Sequence, residues 1–445
     1  MWSDGSKHLA MTEYDDAPLR RFHLRVALAS TGGVFADGFG LGIIGIALSL
    51  AAPQLALDAR WQGLLGGASL AGLFAGALLT GPAADRLGRR PFFAYNMMIA
   101  AVLSALQFGA SGGPQLLALR IAIGFLLGTD YVVSKALLTE FAPMRIRGRI
   151  LAVLSIAWAG GYACAYECGY ELTSAGEDAW RWMLLVSAVP CLLIMPLRIT
   201  MPESPVWLIK HGQPERAAEI VRQRLGPDIR APSGVGADIR RASRWRQLLG
   251  ARWRLRTLVA CTFFTCQVIP YFAVGTFVTQ VMAALHLHGK YAGARVYNLA
   301  LFAGAIVGLL IVDRLSRRGF LVGSFLAAAA TMGVLAAWPD APSGLQILLF
   351  AIFAGVLSAA SNLVYVYLPE LFPTDLRASG IGMAIAASRI GSAVGTFLLP
   401  LVVVSYGVRT ALDACVAVLG IGAIVCYRWA PETRHVRLEE LERAA

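Results

Sequence analysis

The sequence predicts an all-α membrane protein whose twelve transmembrane helices form two pseudo-symmetric bundles of six. Three observations lead to this fold class. Of the 445 residues, 57% are hydrophobic and 15% are charged, whereas soluble domains average about 45–50% and about 25%. The hydrophobic residues form long unbroken runs, and three motifs of the first half of the chain recur in the second half. Long apolar runs argue against both a soluble enzyme and a membrane β-barrel.

Each run is long enough for a transmembrane helix, since a bilayer core about 30 Å thick needs about 20 helical residues. We number the predicted helices as spans 1 to 12, and they occupy residues 25–52, 62–83, 91–110, 116–139, 150–172, 181–199, 255–283, 293–312, 319–338, 344–368, 379–405 and 409–428. The predicted domains are an N-terminal segment, a first bundle, a basic central loop, a second bundle and a tail, at residues 1–24, 25–202, 203–254, 255–430 and 431–445.

The charge pattern predicts the orientation in the membrane. The net charge is +12, and the basic residues cluster in the central loop and in the loops after spans 2, 4 and 8. Because cytoplasmic loops are enriched in Lys and Arg, we expect both termini to be cytoplasmic, in a cytoplasmic (inner or plasma) membrane. The same clustering between apolar runs does not indicate nucleic-acid binding.

The central loop also predicts a contact with lipid. Arginines flank Trp245 and Trp253 just before span 7, a pattern typical of an amphipathic segment on anionic inner-leaflet lipid. A regulatory partner site is the alternative. The seven cysteines lie in apolar segments without metal-type spacing, so we expect free thiols, no metal and no cofactor.

Internal repetition indicates that the two bundles are related. The following motifs recur in the same order at offsets of 228, 230 and 229 residues: Asp85-Arg86-Leu87-Gly88-Arg89-Arg90 as Asp313-Arg314-Leu315-Ser316-Arg317-Arg318, Glu140-x-x-Pro143-x-x-x-Arg147 as Glu370-x-x-Pro373-x-x-x-Arg377, and Pro202-Glu203-Ser204 as Pro431-Glu432-Thr433. Transporters built from parallel repeats bind substrate near the bilayer midplane and rock one half against the other.

We predict that the repeated loops gate this movement. An acid at the end of span 2 can cap a neighbouring helix while the arginines pair with acids, which locks one conformation. The alternative is that the arginines only anchor the topology. The predicted gating residues are Gly81, Asp85, Arg86, Gly88, Arg89, Arg90, Glu140, Arg147, Asp313, Arg314, Arg317, Arg318, Glu370 and Arg377.

These motifs resemble those of a known superfamily. The loop Gly81-x-x-x-Asp85-Arg86-x-Gly88-Arg89-Arg90 is similar to the signature of the major facilitator superfamily. Finer matches resemble its branch of sugar porters, organic cation and anion transporters and aromatic-acid or metabolite proton symporters: Arg120-x-x-x-Gly124-x-x-x-Gly128-x-Asp130-Tyr131, Trp180-Arg181-Trp182-Met183 and Pro202-Glu203-Ser204-Pro205-x-Trp207-Leu208. The resemblance covers essentially the whole chain and implies a secondary transporter that works by alternating access.

Three acids inside predicted spans are candidates for proton coupling. An ionisable group at bilayer depth costs about 2.5–3.5 kcal/mol on insertion scales, so each is a functional hypothesis. Asp37 lies near the middle of span 1, in a segment that resembles the Asp-Gly-x-Asp element of aromatic-acid symporters with Gly40 at the second acid. Asp130 resembles the acid of an Asp-Tyr-Pro element, and Glu167 lies in the outer half of span 5. The alternatives are a permanent hydrogen bond for Asp37 and interfacial exposure for Glu167.

Two basic residues are candidates for binding an anionic substrate. Arg389, near the centre of span 11, lies in a segment that resembles organic anion transporters, in which this arginine recognises carboxylates. The alternative is a salt bridge to Asp130, Glu167 or Asp37. Lys135 is a candidate partner of Asp37, of Asp130 or of a substrate anion, and it could instead snorkel to the cytoplasmic interface.

Five further residues are candidates for orienting a small solute. An offset of about 230 residues makes Gln267 the counterpart of Asp37, and Tyr365 the counterpart of Lys135, and counterparts in two related halves face one cavity. Tyr271, Asn362 and Trp158 could add polar and aromatic contacts, although aromatic side chains in apolar helices more often pack.

We therefore expect proton-coupled uptake of a small organic anion, a carboxylate or an aromatic acid, by a monomer whose partners are the substrate, protons and membrane lipid. A sugar:proton symporter, a drug or metabolite efflux protein, and a transport-inactive receptor of the same fold are the alternatives. The sequence contains no nucleotide-binding loop, metal triad or nucleophile motif, which argues against an enzyme and against ATP drive.

Overall fold

The computed structural model describes residues 12–232, 247–287 and 289–434. The first half contains α1 (Arg21–Gln54), α2 (Ala59–Leu87), α3 (Arg90–Leu106), α4 (Gly113–Phe141), α5 (Met144–Leu172), α6 (Ala179–Val186) and α7 (Ala188–Ile199). Two short helices follow, α8 (Pro205–Lys210) and α9 (Pro214–Arg224). The second half contains α10 (Arg254–Thr276), α11 (Val278–Ala284), α12 (Lys290–Ile311), α13 (Arg317–Ala337), α14 (Ser343–Ala360), α15 (Leu363–Glu370) and α16 (Thr374–Trp429).

The helices account for all twelve predicted spans. Within the described residues, eleven helical segments are long and apolar enough to cross a membrane, and α16 carries two spans. Its Gly407 has φ 86° and ψ 161°, a conformation that favours glycine, and this break separates span 11 from span 12. Span 6 consists of α6 and α7, span 7 of α10 and α11, and span 10 of α14 and α15. The predicted all-α membrane fold is confirmed.

The packing of the two halves follows one scheme. Span 1 packs on span 5, span 2 on span 4 and span 3 on span 6. In the second half span 7 packs on span 11, span 8 on span 10 and span 9 on span 12. Between the halves, span 2 contacts span 11 and span 5 contacts span 8. This repetition confirms two pseudo-symmetric bundles of six helices.

Glycines let the helices of each half approach closely. A Cβ atom on Gly124 of α4 would lie 2.2 Å from the carbonyl oxygen of Ser69, and a Cβ atom on Gly304 of α12 would lie 2.2 Å from that of Gly355. In lipid there is no hydrophobic driving force between helices, and small residues at such crossings permit the close van der Waals packing that holds the helices together. The glycine spacing around Gly124 therefore serves the contact between spans 2 and 4.

The two halves are closed against each other on one side. We call the side that carries the loops 85–90 and 313–318 the motif side, which the sequence predicts to be cytoplasmic. Near the opposite side, a Cβ atom on Gly45 would lie 2.3 Å from the carbonyl oxygen of Thr276, and a Cβ atom on Gly63 would lie 2.3 Å from that of Phe397. The backbones of the two halves are thus in direct contact on the side opposite the motifs.

The predicted domain boundaries fall close to helix ends. Helix α1 begins at Arg21, α10 begins at Arg254 and α16 ends at Trp429. The predicted central loop contains α8 and α9. Residues 233–246, which include most of the predicted amphipathic segment, lie outside the described residues, as do residues 1–11 and 435–445 of the predicted terminal segments.

Candidate functional site

A cavity lies between the two halves, near the middle of the spans. Its empty volume, which includes open solvent at its mouth, is about 800 Å³. Five predicted site residues line it, namely Asp37, Trp158, Tyr271, Tyr365 and Arg389, together with Tyr131, Phe264, Phe272 and the hydroxyl-bearing Ser155, Ser358 and Ser361. The lining combines aromatic rings with a few polar groups, as binding sites for small molecules do.

A fully buried ion pair stands beside this cavity. Arg198 of α7 forms a salt bridge with Asp130 of α4, and neither side chain is exposed. The Arg198 Nη2 atom donates to the second Asp130 oxygen and to the Ser134 hydroxyl, both at 3.0 Å, and its Nε atom donates to the carbonyl oxygen of Ala29 at 3.0 Å. The pair therefore joins spans 1, 4 and 6 within the first half.

A glycine makes room for the Arg198 side chain. A Cβ atom on Gly33 of α1 would lie 1.5 Å from the Nη2 atom of Arg198. On another face, the guanidinium lies 4.2 Å from the ring centroid of Phe93. Arg198 did not emerge from the sequence as a site residue, because an arginine one residue before the predicted end of a span is typical of an interface anchor.

Asp37 lies next to this ion pair. Its side chain is 4% exposed, its Oδ1 atom has no hydrogen-bond partner, and its carboxyl group is adjacent to that of Asp130. Two neighbouring carboxyl groups cannot both stay charged without repulsion. Of the two acids, Asp130 already has a bidentate partner, whereas Asp37 faces the cavity.

Two cations approach the ring of Tyr131, and of the two Arg389 itself lines the cavity. The Nζ atom of half-buried Lys135 lies 3.3 Å from the ring centroid of Tyr131 and 4.9 Å from that of Tyr365. The Cζ atom of Arg389 lies 5.6 Å from the Tyr131 centroid and 5.8 Å from that of Phe272. Such rings attract cations through their electron-rich faces. Tyr131 therefore links the two cations, although it was noted in the sequence only as part of a motif.

Neither cation has an acidic partner in the described part of the chain. No carboxylate among these residues lies within 4.0 Å of the Lys135 or Arg389 nitrogen atoms. The salt bridges considered for Arg389 in the sequence are absent there, because Asp130 pairs with Arg198 and Glu167 pairs elsewhere. Of the alternatives for Lys135, a pair with Asp130 is not observed, because Asp130 pairs with Arg198.

Besides Asp130 and Lys135, three predicted site residues are not part of the cavity lining. Glu167 of α5 forms a 2.5 Å salt bridge with Arg295 of α12, across the seam between the halves and toward the closed side. Gln267 donates to the carbonyl oxygen of Leu357 at 3.1 Å, and Asn362 donates to that of Ala305 at 3.1 Å. Their amides tie neighbouring helices together behind the cavity wall.

The three repeated motifs of the first half meet in one cluster on the motif side. Arg89 forms salt bridges with Asp85 at 3.0 Å and with Glu140 at 3.3 Å. Glu203 accepts hydrogen bonds from the backbone nitrogens of Arg89 at 3.0 Å and Arg90 at 3.1 Å, and so caps the start of α3.

The second half repeats this cluster with equivalent residues. Arg317 forms salt bridges with Asp313 at 3.2 Å and with Glu370 at 3.6 Å. Glu432 accepts from the backbone nitrogens of Arg317 at 3.0 Å and Arg318 at 3.1 Å. Burial opposes ionisation of Glu432, but backbone N–H donors outweigh it and lower its pKa. The motifs that repeat in the sequence thus form equivalent contacts in space.

Gly88 differs in backbone conformation from its repeat counterpart Ser316. It has φ 98°, and a Cβ atom there would lie 2.3 Å from a carboxylate oxygen of Glu203. The counterpart Ser316 has φ −63° and accepts a hydrogen bond from the Gly319 nitrogen, which starts α13. The first cluster therefore needs glycine at a position where the second does not.

The remaining predicted gating residues lie on the rim of the clusters. Arg147 forms a 2.8 Å salt bridge with Asp15 and donates to the Ala142 carbonyl oxygen. Arg318 donates from its side chain to the carbonyl oxygen of Tyr427. Of the rest, Arg86 and Arg314 are exposed and Arg377 is partly buried. A Cβ atom on Gly81 would meet no atom within 4 Å.

Comparison with known proteins matches nearly the whole chain to transporters. The family described as "Sugar (and other) transporter" matches residues 26–445. The Escherichia coli K12 protein named "Inner membrane metabolite transport protein YgcS" is 39% identical over 95% of each chain, and "Putative metabolite transport protein YaaU" of the same organism is 36% identical over 96% of each. "Niacin transporter NiaP" of Acinetobacter baylyi is 25% identical over 86% of this chain and 87% of that protein.

The fold matches solved transporter structures. The xylose transporter XylE of E. coli, in a partially occluded inward open conformation, superposes with a TM-score of 0.78 at 20% identity, over 94% of this chain and all of that one. Because the family match and the relatives both extend over nearly the full length, the protein is a transporter rather than an enzyme. The chain belongs to the Sugar (and other) transporter family of the major facilitator superfamily.

Proposed function

We propose that the protein couples the uptake of a small organic anion, a carboxylate or an aromatic acid, to proton entry. The observation that carries this proposal is a pair of cations. Arg389 lines the cavity, Lys135 lies against the rings of Tyr131 and Tyr365 that line it, and neither cation has a carboxylate partner among the described residues. A neutral solute would leave both charges uncompensated in a low-dielectric site, whereas an anion would satisfy them.

Asp37 is the proton carrier in this proposal. Asp130 is engaged by Arg198 and Glu167 by Arg295, so Asp37 remains as the acid that lines the cavity. A proton on Asp37 removes its repulsion with the adjacent Asp130 carboxylate and leaves the nearby Lys135 available for a substrate anion. Loading the proton and loading the anion then favour each other, as symport requires.

Transport proceeds by rocking of the two halves about the cavity. In the observed state the halves touch on the side opposite the motifs, so the substrate exchanges with the motif side. Opening the closed side requires the Glu167–Arg295 salt bridge and the close contact of Gly45 with Thr276 to separate. The driving force is sufficient, since one elementary charge crossing 100 mV is worth about 2.3 kcal/mol.

The gating role of the repeated clusters also belongs to this proposal. In each half, Arg89 or Arg317 joins the motif-side ends of several helices. A rearrangement of either cluster would move these helix ends and change the surface of that half that faces the other half. We place the protein in the inner membrane, as its E. coli relative is named, with both termini cytoplasmic, as a monomer in contact with lipid.

A sugar:proton symporter is the second candidate. The family description, the name "Glucose transporter GlcP" of a Staphylococcus epidermidis relative that is 28% identical, and the resemblance to the xylose transporter favour it. Trp158 and Tyr271 in the cavity could stack on a sugar ring. Lys135 and Arg389, which have no carboxylate partner in the part of the chain that the structure describes, argue against it, because a neutral sugar compensates neither charge.

Uptake into proteoliposomes tests the proposal. The purified protein is given labelled nicotinate, benzoate, short carboxylates and hexoses, with and without an inwardly directed proton gradient. We expect gradient-stimulated uptake of an acid and loss of that uptake in Arg389→Ala. Uptake of a hexose alone, or acid uptake that Arg389→Ala does not change, would contradict the proposal.

A further inference from the structure

The charges around the cavity do not balance when Asp37 carries a proton, as the proposed function requires. The buried pair of Asp130 and Arg198 is neutral by itself. Protonated Asp37 adds no charge, which leaves Lys135 and Arg389 as two positive charges. A carrier that closes around its cargo moves this whole set into a low-dielectric interior, where net charge is costly.

We propose that the transported substrate is a dianion, with Lys135 and Arg389 each binding one of two carboxylates of a small dicarboxylic acid. With such a cargo and a proton on Asp37, the occluded site is neutral. With a monocarboxylate it would keep one positive charge. This inference rests on the proposed function, and it adds the number of charges on the substrate and a binding role for Lys135.

The geometry gives the two cations separate positions. The Lys135 ammonium lies 3.3 Å from the Tyr131 ring centroid, and the Arg389 guanidinium lies 5.6 Å from the same centroid. Lys135 also approaches Tyr365, whereas Arg389 also approaches Phe264 and Phe272. Each cation therefore has its own aromatic surroundings, and the Tyr131 ring contacts both.

Aromatic rings cover another part of the cavity wall and fit the hydrocarbon part of such a substrate. Trp158 and Tyr271 have ring centroids 6.1 Å apart, and Trp158 and Phe272 have centroids 5.8 Å apart in an edge-to-face arrangement. These faces offer apolar contact beside the charged region. The cavity thus suits a molecule with two carboxylates on a short or planar carbon skeleton.

Paired substrates of equal skeleton test this inference. Purified protein in proteoliposomes is given labelled benzoate against benzene-1,3-dicarboxylate and butanoate against butanedioate at pH 7. We expect the diacid of at least one pair to have a kcat/KM about tenfold or more above its monoacid, as one additional charge-assisted contact supports. Lys135→Gln should reduce this ratio by a similar factor, and Lys135→Arg should largely retain it.

Two control variants remove a cation that lies on an aromatic ring outside the cavity. Lys290→Gln removes a lysine 5.3 Å from the Tyr291 centroid, and Arg428→Gln removes an arginine 5.9 Å from that of Trp429. Both should leave the diacid to monoacid ratio unchanged. Equal or better uptake of the monoacids, or a ratio that Lys135→Gln does not change, overturns the dianion inference but leaves anion transport intact. Uptake of hexoses with neither acid overturns the proposed function itself.

Discussion

Replacement of Arg198 by Met should destabilise the protein more than any surface charge deletion. The arginine is fully buried and donates to Asp130, to Ser134 and to the Ala29 carbonyl oxygen. Methionine fills much of the same volume but leaves the Asp130 carboxylate buried without its counter-charge. The loss is therefore dominated by an uncompensated charge and not by a cavity.

The expected loss can be estimated. Breaking a buried ion pair by removing one partner costs about 3–5 kcal/mol of the free energy of unfolding. Removing both charges, as in Asp130→Asn with Arg198→Met, should cost less than the sum of the two single variants, with a coupling energy of about 2–3 kcal/mol. As the control, Arg20→Met removes a salt bridge to Asp228 that is about one-third exposed, and should cost at most about 1 kcal/mol.

Reversible unfolding of the purified protein in mixed micelles, followed by tryptophan fluorescence and circular dichroism, measures these differences. The four proteins of the Asp130 and Arg198 cycle are compared with Arg20→Met under the same conditions. Additive losses in the cycle, or a loss in Arg198→Met no larger than that in Arg20→Met, would refute the conclusion that the buried pair holds spans 1, 4 and 6 together.

Two further sets of substitutions test neighbouring parts of the structure. Gly33→Ala should abolish gradient-driven uptake, because a Cβ atom there overlaps the buried Arg198 guanidinium. Gly40→Ala in the same helix is the control, because a Cβ atom there meets nothing within 4 Å, and it should retain uptake. Equal effects of the two substitutions would disprove this prediction. Glu167→Arg and Arg295→Glu should each impair uptake by opposing closure of that side, and the double variant should recover it. A double variant as impaired as the single variants would contradict the role of the Glu167–Arg295 salt bridge in closing that side.

The sequence predicted the helices because a transmembrane helix depends on local information. Hydropathy over about 20 residues identifies a span without knowledge of its neighbours. The repeated motifs predicted two related halves, and the Arg89 and Arg317 clusters show why three separate motifs repeat together: each cluster needs all three. The breaks at Phe277 and at Ser361, between the two helices of spans 7 and 10, have no comparable signal in the sequence.

The contacts inside the site depend on which helices are neighbours, and the sequence alone did not predict the helix neighbours. Asp130 had Lys135 five residues away as the nearest cation along the chain, but its partner is Arg198, 68 residues away. Arg198 reaches it only because span 6 packs beside spans 1 and 4 and because Gly33 leaves room. The same assignment leaves Lys135 and Arg389 without acids among the described residues, which the sequence had kept open.

Counterflow in proteoliposomes that contain Asp37→Asn tests proton coupling through the cavity most directly. The substrate identified in the uptake panel is exchanged across the membrane without a proton gradient, and its accumulation is then measured with an inwardly directed gradient. We expect the variant to exchange substrate while the gradient no longer drives accumulation, because asparagine resembles the protonated acid but cannot release a proton. Accumulation by the variant that still follows the gradient would contradict the assignment of Asp37 as the proton carrier.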